Sequence, residues 1–184
     1  MAWKILIERG NLGFSAAHFI TFEGDCEPLH GHNYGVRVEA VGDLGPDSYV
    51  LDFRTLKRIV RGICKEWDHH FLLPLRNPNL RVAEVADAWE IEFQPTHPAA
   101  TRTAPPHLRY VLPAWSVVPL DVDNATAERL SQALGERIAD QLRAEGLLAG
   151  LSALQVGVQE TEMQIAFYTL HLRDTAPPSH PPGV

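Results

Sequence analysis

Hydrophobic and polar residues alternate along four segments of the chain, and alternation with a period of two predicts half-buried β-strands. In the second segment, Tyr34, Val36 and Val38 share one face, which we expect to lie against the core. The last two segments adjoin each other and predict an antiparallel pair. The four predicted strands are residues 3–12, 32–41, 153–160 and 164–172.

Two other segments carry hydrophobic residues at three- and four-residue spacing, which is typical of amphipathic helices. The first covers residues 52–67, with Asp52 as the candidate N-cap. The second covers residues 124–145 and has the clearer pattern, with either Asn124 or Thr126 as its cap. Both segments therefore predict helices that bury one face.

The predicted elements follow one another in the order β-β-α-insertion-α-β-β. A four-stranded antiparallel sheet with two helices on one face satisfies this order, so the predicted class is α+β. The chain of 184 residues fits one domain, which we assign to residues 1–174. Residues 175–184 are rich in proline, and we expect a disordered tail there.

An insertion at about residues 78–122 separates the two halves of this pattern. Residues 88–93 alternate, and residues 107–112 provide a candidate return strand. The segment between them is rich in proline and threonine, so the insertion is predicted to be a β-hairpin with a long mobile tip. It could cover a site, extend the sheet, mediate assembly, or be a tolerated surface feature.

The composition narrows the class of protein further. Hydrophobic residues make up 45% of the chain, which is enough for a packed core. The net charge of -7 argues against a nucleic-acid partner or an anionic membrane surface. The N-terminal residues lack the apolar core of a signal peptide, and no run of about 18 apolar residues occurs, so we expect a cytoplasmic protein without a membrane span.

Three histidines mark the densest candidate chemistry. His30 and His32 lie two residues apart on a predicted strand and can reach one metal ion, with Gly31 leaving space opposite. His18 ends the preceding apolar segment. Three imidazoles and one open position are typical of a catalytic zinc site, which predicts Zn2+ as the cofactor.

The two cysteines, Cys26 and Cys64, are too few for a disulfide framework. Cys26 could be a fourth metal ligand, a nucleophile or base, or a buried apolar residue, and its polar neighbours disfavour the last interpretation. As a fourth ligand it would close a structural site made of one cysteine and three histidines. Cys64 lies within the first predicted helix, where we expect a core thiol.

Two pairs of polar residues are further candidates. Asp68 precedes His69, and a carboxylate beside an imidazole can make a proton shuttle near neutral pH. Glu160 and Thr161 end one of the last strands, where a carboxylate could accept hydrogen bonds from the amide edge of a heterocycle.

Taken together, these segments resemble the 6-pyruvoyl-tetrahydropterin synthase and 6-carboxy-tetrahydropterin synthase family. The resemblance implies the tunnelling fold, in which four-stranded sheets of several subunits close into a barrel, with active sites at subunit interfaces. It also implies a homohexamer of two trimers. The matching segments are FSAAH, CEPLHGHNYGVRVEA, VLDFRTLK, WDHHFL, NATAE and QET.

The resemblance also assigns roles to individual residues. The implied zinc ligands are His18, His30 and His32; the implied catalytic residues are Cys26, Asp68 and His69; and the implied pterin anchor is Glu160. Thr126 and Glu128 match a helix-start pattern that we interpret as capping. The implied substrate is 7,8-dihydroneopterin triphosphate, bound by a zinc-dependent lyase.

The product depends on which residue next to the histidines acts as the base. The spacing C-x-x-x-H-G-H resembles bacterial 6-carboxy-tetrahydropterin synthases of queuosine biosynthesis, and predicts that product with Cys26 as the base. Glu27 creates E-x-x-H-G-H, which resembles a variant that forms 6-hydroxymethyl-dihydropterin. The alternatives are that product, 6-pyruvoyl-tetrahydropterin, or a non-catalytic pterin-binding protein, which the altered residues 162–165 and the insertion would suit.

Overall fold

The computed structural model describes residues 2–8, 12–97, 104–105 and 107–173. Twelve strands and two α-helices occur within these ranges. The strands are β1 (Trp3–Ile7), β2 (Gly13–His18), β3 (Thr21–Phe22), β4 (Asp25–Cys26), β5 (His30–Gly42), β6 (His70–Pro74), β7 (Leu80–Val85), β8 (Ala88–Phe93), β9 (Arg109–Pro113), β10 (Val117–Leu120), β11 (Leu151–Thr161) and β12 (Gln164–His171). The helices are α1 (Phe53–Trp67) and α2 (Ala127–Ala144), and a short 3-10 helix covers Ala114–Ser116.

The main sheet has seven strands around the long central strand β5. Its order is β10-β6-β2-β5-β11-β12, and β1 pairs with the other end of β5 on the same side as β2. The pairs that involve β1, β2, β5, β11 and β12 are antiparallel, whereas β6 pairs in parallel with both β2 and β10. The α+β class is confirmed.

The predicted sheet of four antiparallel strands describes only the centre of this sheet. The alternation rule missed β6 because Phe71, Leu72 and Leu73 are consecutive apolar residues that are all buried. The first predicted strand, residues 3–12, is longer than the observed one: β1 ends at Ile7, and β2, which begins at Gly13, is a separate strand beyond the predicted range.

Both helices cover the same face of the sheet. Val36 and Val38 of β5 and Val156 of β11 share one buried cluster with the apolar stripes of α1 and α2. Cys64 lies in this core, where burial raises the pKa of its thiol to about 12, as expected for a core cysteine.

The helix ends follow the predicted capping. Asp52 caps α1 by accepting a hydrogen bond from Thr55 N, and Thr126 caps α2 by accepting one from Arg129 N. Of the two caps proposed for the second helix, Thr126 is therefore the one used. No helix in the described ranges is long and apolar enough to cross a membrane.

The insertion contains a three-stranded antiparallel sheet of order β7-β8-β9, called here the insertion sheet. The predicted pairing of residues 88–93 with the return strand is confirmed, and β7 adds a strand that the sequence did not indicate. Much of the predicted mobile tip, residues 98–103 and 106, lies outside the described residues, as does the predicted tail. The assignment of residues 1–174 to one domain stays a prediction.

A second apolar cluster joins the insertion to the main sheet, and we call it the insertion cluster. It contains residues from the main body together with residues from the insertion, so the insertion is packed against the molecule. Its buried members are Phe19, Cys26, Phe71, Leu73, Ile91, Phe93, Ala104 and Val117.

Candidate active site

A tight hairpin formed by β3 and β4 (residues 21–26), called here the active-site hairpin, precedes the central strand. Thr21 pairs with Cys26 across it, and the two turn residues Glu23 and Gly24 have φ angles of 48° and 78°. Two consecutive positive φ values match the right-handed twist of the flanking strands. Glu27 follows directly and donates its backbone N–H to Ile20 O at 2.9 Å.

The register of β2 against β5 brings the three predicted metal ligands together. His18 pairs with His30, and Ala16 pairs with His32, so the three imidazoles extend from one face of the sheet. Their candidate ligand atoms lie within 4.8 Å of one another, a group that could hold a metal ion. We call His18, His30 and His32 the histidine cluster.

Gly31 is required by the close approach of these two strands. A Cβ atom at this position would lie 2.9 Å from the carbonyl oxygen of Ala16, on the neighbouring strand. The space that the sequence led us to expect at Gly31 is taken up by the backbone of the neighbouring strand.

Hydrogen bonds fix the protonation of two ligand rings. His18 Nδ1 lies 2.8 Å from Ala125 O, and His30 Nδ1 lies 2.8 Å from Pro28 O. Because a carbonyl oxygen only accepts, each Nδ1 carries the proton in the neutral ring and each Nε2 presents a lone pair. Backbone carbonyls commonly orient metal-binding histidines in this way.

The environment of His18 further favours the neutral, metal-binding form. Its side chain is 0% exposed, and burial lowers the pKa of His18, with the neighbouring His30 acting in the same direction. Among the described residues, His18 Nε2 is a buried nitrogen without a hydrogen-bond partner. A metal ion would supply the missing partner, so this donor set fits one.

Glu160 lies against the histidine cluster. Its Oε1 is 3.4 Å from His18 Nε2 and 3.7 Å from His32 Nε2. Tyr34, which the sequence analysis did not assign to the site, donates its hydroxyl to the same oxygen at 3.4 Å. Thr161 is directed elsewhere, because its hydroxyl donates to Gln164 Oε1 at 2.6 Å within its own strand pair.

Cys26 and Glu27 lie in different environments. Cys26 is 2% exposed and belongs to the insertion cluster, so the polar neighbours in its sequence did not indicate its burial. Burial, followed by the charges of Asp25 and Glu27, raises the pKa of the Cys26 thiol to about 12. The thiol donates to the backbone carbonyl of Glu27 at 3.4 Å.

The Glu27 carboxylate acts electrostatically on two neighbours. Its charge helps to raise the pKa of Tyr34, after burial and Glu160, and that of the Cys26 thiol, after burial and Asp25. Within the described part of the chain, Glu27 Oε2 is buried and has no hydrogen-bond partner. Such an acceptor is costly to bury unless a bound molecule supplies a donor.

The predicted Asp68-His69 pair is formed. Asp68 Oδ2 lies 2.9 Å from His69 Nδ1, and Asp68 Oδ1 accepts the backbone N–H of Ser15 at 2.7 Å. The Ser15 N–H, and then His69, hold the pKa of Asp68 below its ordinary value. His69 has a φ of 62°, a left-handed conformation that its own N–H stabilises by donating to Ser15 O.

A cleft of about 490 Å³ is lined by residues of both the histidine cluster and the Asp68-His69 pair. His32 and His69 both line it, so the structure places a metal-ligand candidate and the proton-shuttle candidate on one cleft. Leu112 and Ser116 line it too, which shows that the insertion contributes to its wall.

Sequence reasoning also missed the support behind His18. Asn124 accepts hydrogen bonds from Thr21 N at 3.2 Å and Ala125 N at 3.1 Å, and donates to Thr21 O at 2.8 Å. Asn124 thereby joins the active-site hairpin to Ala125, whose carbonyl oxygen orients the His18 ring. The only signal in the sequence is an amide side chain two positions before the helix cap.

The chain is similar to known proteins over most of its length. A family model described as 6-pyruvoyl tetrahydropterin synthase matches residues 9–171. A putative 6-carboxy-5,6,7,8-tetrahydropterin synthase of Methanocaldococcus jannaschii is 28% identical over 162 residues, which covers 88% of this chain and 91% of that protein. A dihydroneopterin monophosphate aldolase of Pyrococcus furiosus is 42% identical over 59 residues, or 32% of this chain and 50% of that protein.

Solved structures show a similar fold over nearly the whole chain. The 6-pyruvoyltetrahydropterin synthase of Plasmodium vivax superposes with a TM-score of 0.82 at 28% identity, covering 93% of this chain and 99% of that one. That structure is of a variant in which a catalytic glutamate is replaced by alanine.

Proposed function

The chain belongs to the 6-pyruvoyl tetrahydropterin synthase family, and from that premise we propose that it is a zinc-dependent lyase acting on the side chain of 7,8-dihydroneopterin triphosphate. His18, His30 and His32 would hold the zinc through their Nε2 lone pairs or equivalent donors. Three neutral imidazoles with an open position suit zinc. When bound there, zinc supplies Lewis-acid chemistry toward the side-chain hydroxyls of the substrate.

Glu160 is the proposed pterin anchor. A carboxylate can accept two hydrogen bonds from the amino and amide groups of a pterin ring. Its Oε1 accepts from Tyr34 and lies close to two imidazoles, contacts that support a carboxylate held in place beside the candidate metal position.

The observation that carries the proposed reaction is the buried Glu27 carboxylate oxygen, which has no hydrogen-bond partner among the described residues. Such an oxygen can accept a proton from a substrate hydroxyl. Cys26 is poorly suited to that step because its thiol lies in an apolar cluster and its pKa is raised to about 12.

With Glu27 as the base, the reaction is a retro-aldol cleavage. Glu27 takes the proton from the hydroxyl of the second side-chain carbon, and the bond between the first and second side-chain carbons breaks. The second carbon becomes an aldehyde that carries the triphosphate. The electron pair passes to the first carbon, which receives a proton from the Asp68-His69 pair. The product is 6-hydroxymethyl-7,8-dihydropterin.

A second candidate product is 6-carboxy-5,6,7,8-tetrahydropterin, the intermediate of queuosine biosynthesis. The name of the Methanocaldococcus jannaschii relative, which this chain matches over most of its length, favours it. It would require Cys26 to leave the insertion cluster and act as the base. The burial of Cys26 therefore supports the hydroxymethyl product over the carboxy product.

The proposed assembly is the homohexamer of two trimers that the family resemblance implies. Two edges of the main sheet support it, because β1 and β12 carry the exposed Trp3 and Phe167. Exposed apolar residues on unpaired strands favour pairing with another copy. Sedimentation analysis tests this assembly independently of activity.

A product assay tests the proposed function. The purified zinc form is incubated with 7,8-dihydroneopterin triphosphate, and in a parallel sample with the monophosphate, and products are identified by mass spectrometry. We expect 6-hydroxymethyl-7,8-dihydropterin and a phosphorylated glycolaldehyde in equal amounts. No turnover of either substrate by protein that contains stoichiometric zinc would contradict the proposal.

A further inference from the structure

The insertion packs directly over the active-site hairpin. Tyr110 of β9 stacks on Phe19 with ring centroids 5.6 Å apart, and Cys26 lies in the same cluster. The Cys26 thiol is close enough to Tyr110 that a charge on Cys26 raises the pKa of the Tyr110 phenol, after the larger effect of burial. The insertion sheet therefore forms part of the apolar environment of Cys26.

Asp25 links the insertion to the hairpin through polar contacts. Its side chain is 3% exposed, and its Oδ1 accepts the N–H of Cys26 and the N–H of Ala104, each at 2.9 Å. One oxygen atom thus joins the backbone of the hairpin to the backbone of the insertion. Because it bonds the Cys26 N–H itself, this contact fixes the direction in which the Cys26 side chain leaves the chain.

A third contact lies beyond Glu27. The Leu29 backbone lies close enough to the Tyr110 phenol to lower its pKa, against the larger effect of burial, so the insertion lies near the chain on both sides of Cys26 and Glu27. These contacts hold Cys26 against the insertion, while the adjacent Glu27 keeps a buried carboxylate oxygen without a hydrogen-bond partner among the described residues.

We propose that the insertion selects between the two adjacent candidate bases, and that Asp25 is the positioning residue through which it acts. By enclosing Cys26, the insertion keeps its thiol away from the substrate and leaves Glu27, with its buried and unpartnered oxygen, as the available base. The catalytic consequence of this inference rests on the proposed function, whereas the enclosure of Cys26 does not.

The enclosure is tested by the alkylation of Cys26 in the zinc-loaded protein. Iodoacetamide is added at pH 8, and the modified fraction of Cys26 is followed by peptide mass spectrometry. We expect Asp25→Ala to react at least about tenfold faster than the parent, because the acceptor of two backbone N–H groups is lost. Asp25→Asn keeps an acceptor oxygen and should react at nearly the parent rate.

Two further variants keep the test decisive. Asp87→Ala removes an exposed carboxylate from the same insertion and should leave the rate unchanged. Ile91→Ala opens the insertion cluster without removing a hydrogen bond of the hairpin, and should also accelerate alkylation. Circular dichroism identifies any variant that fails to fold; if Asp25→Ala unfolds, Ile91→Ala decides the outcome.

The inference is overturned if folded Asp25→Ala and Ile91→Ala react no faster than the parent, or if parent Cys26 reacts as fast as N-acetylcysteine. The second readout is the ratio of the 6-carboxy product to the 6-hydroxymethyl product. Release of Cys26 in Asp25→Ala should raise the share of the 6-carboxy product, whereas Asp25→Asn should give the parent ratio. If the parent turns over neither substrate, the proposed function fails while the alkylation result still stands.

Discussion

Cys26 and Glu27 are neighbours in the chain, and the Cys26 thiol donates a hydrogen bond to the Glu27 backbone carbonyl at 3.4 Å. The Cys26 side chain is enclosed in the insertion cluster, whereas Glu27 Oε2 is buried without a hydrogen-bond partner among the described residues. In the sequence either residue could be the base; in the structure, only the Glu27 side chain of this pair lies outside the apolar cluster.

The reactivity of Cys26 toward alkylating reagents should follow its raised pKa. Burial and two nearby carboxylates disfavour the thiolate, so the thiol form persists up to about pH 12, where an ordinary cysteine ionises near pH 9.0. The alkylation rate should therefore rise about tenfold per pH unit from pH 7 to pH 10 without levelling. N-acetylcysteine in the same solution is the control, and a plateau of the Cys26 rate near pH 9 would show that the pKa is not raised.

Substitution of Gly31 should disturb both stability and metal binding. In Gly31→Ala the added methyl group meets the Ala16 carbonyl at 2.9 Å, so β2 and β5 must separate and the histidines they carry must shift. We expect a lower melting temperature and weaker zinc binding, measured by thermal unfolding and by competition with a chelator.

Gly62→Ala is the matched control for this change. It lies in α1, where a Cβ would meet nothing within 4 Å, so alanine should stabilise the helix by about 0.5–1 kcal/mol and leave zinc binding unchanged. Equal zinc affinity in Gly31→Ala and the parent would mean that the strand spacing does not control the histidine cluster.

Asn124 should affect zinc affinity without touching the metal position. Its side chain fixes Ala125, whose carbonyl orients His18, and loss of such outer support typically weakens metal binding by about 10–100-fold. Asn124→Ala should show this loss in a chelator competition. The control is Gln141→Ala, which removes an amide on the exposed side of α2 and should leave the zinc affinity unchanged. An unchanged zinc affinity in Asn124→Ala would show that Asn124 does not control the orientation of His18.

The Asp68-His69 pair should affect turnover and not zinc binding. A positioned proton donor contributes about 10²–10⁴-fold to a rate, so His69→Ala should lower kcat by this factor while zinc content stays stoichiometric. Asp68→Asn should lower kcat less, since its amide oxygen can still accept from Ser15. His97→Ala, an exposed histidine of the insertion, is the control; a normal kcat in His69→Ala would assign the proton to another group.

Local patterns predicted the elements that bury one face. Alternation identified β5, β11 and β12, and the three- and four-residue spacing identified both helices with their caps. It failed at β6, because Phe71, Leu72 and Leu73 are all buried and show no period. Residues buried on both sides carry no alternation for a pattern to detect.

The candidate site was predictable where it depends on short spacing or on the family motifs. His30 and His32 are two residues apart, and the motif set added His18, whose position opposite His30 depends on a strand register that spacing alone does not show. The environment of Cys26 was not predictable, because its apolar partners Ile91, Phe93 and Tyr110 lie more than sixty residues later in the chain.

The central claim, that Glu27 and not Cys26 is the working base, is tested most directly by one rate measured in two variants. That rate is the initial formation of 6-hydroxymethyl-7,8-dihydropterin from 7,8-dihydroneopterin triphosphate by zinc-loaded Glu27→Gln and Cys26→Ser. The account predicts a loss of at least about 100-fold in Glu27→Gln and a rate close to that of the parent in Cys26→Ser. The opposite result, a nearly normal rate in Glu27→Gln and a large loss in Cys26→Ser, would contradict it.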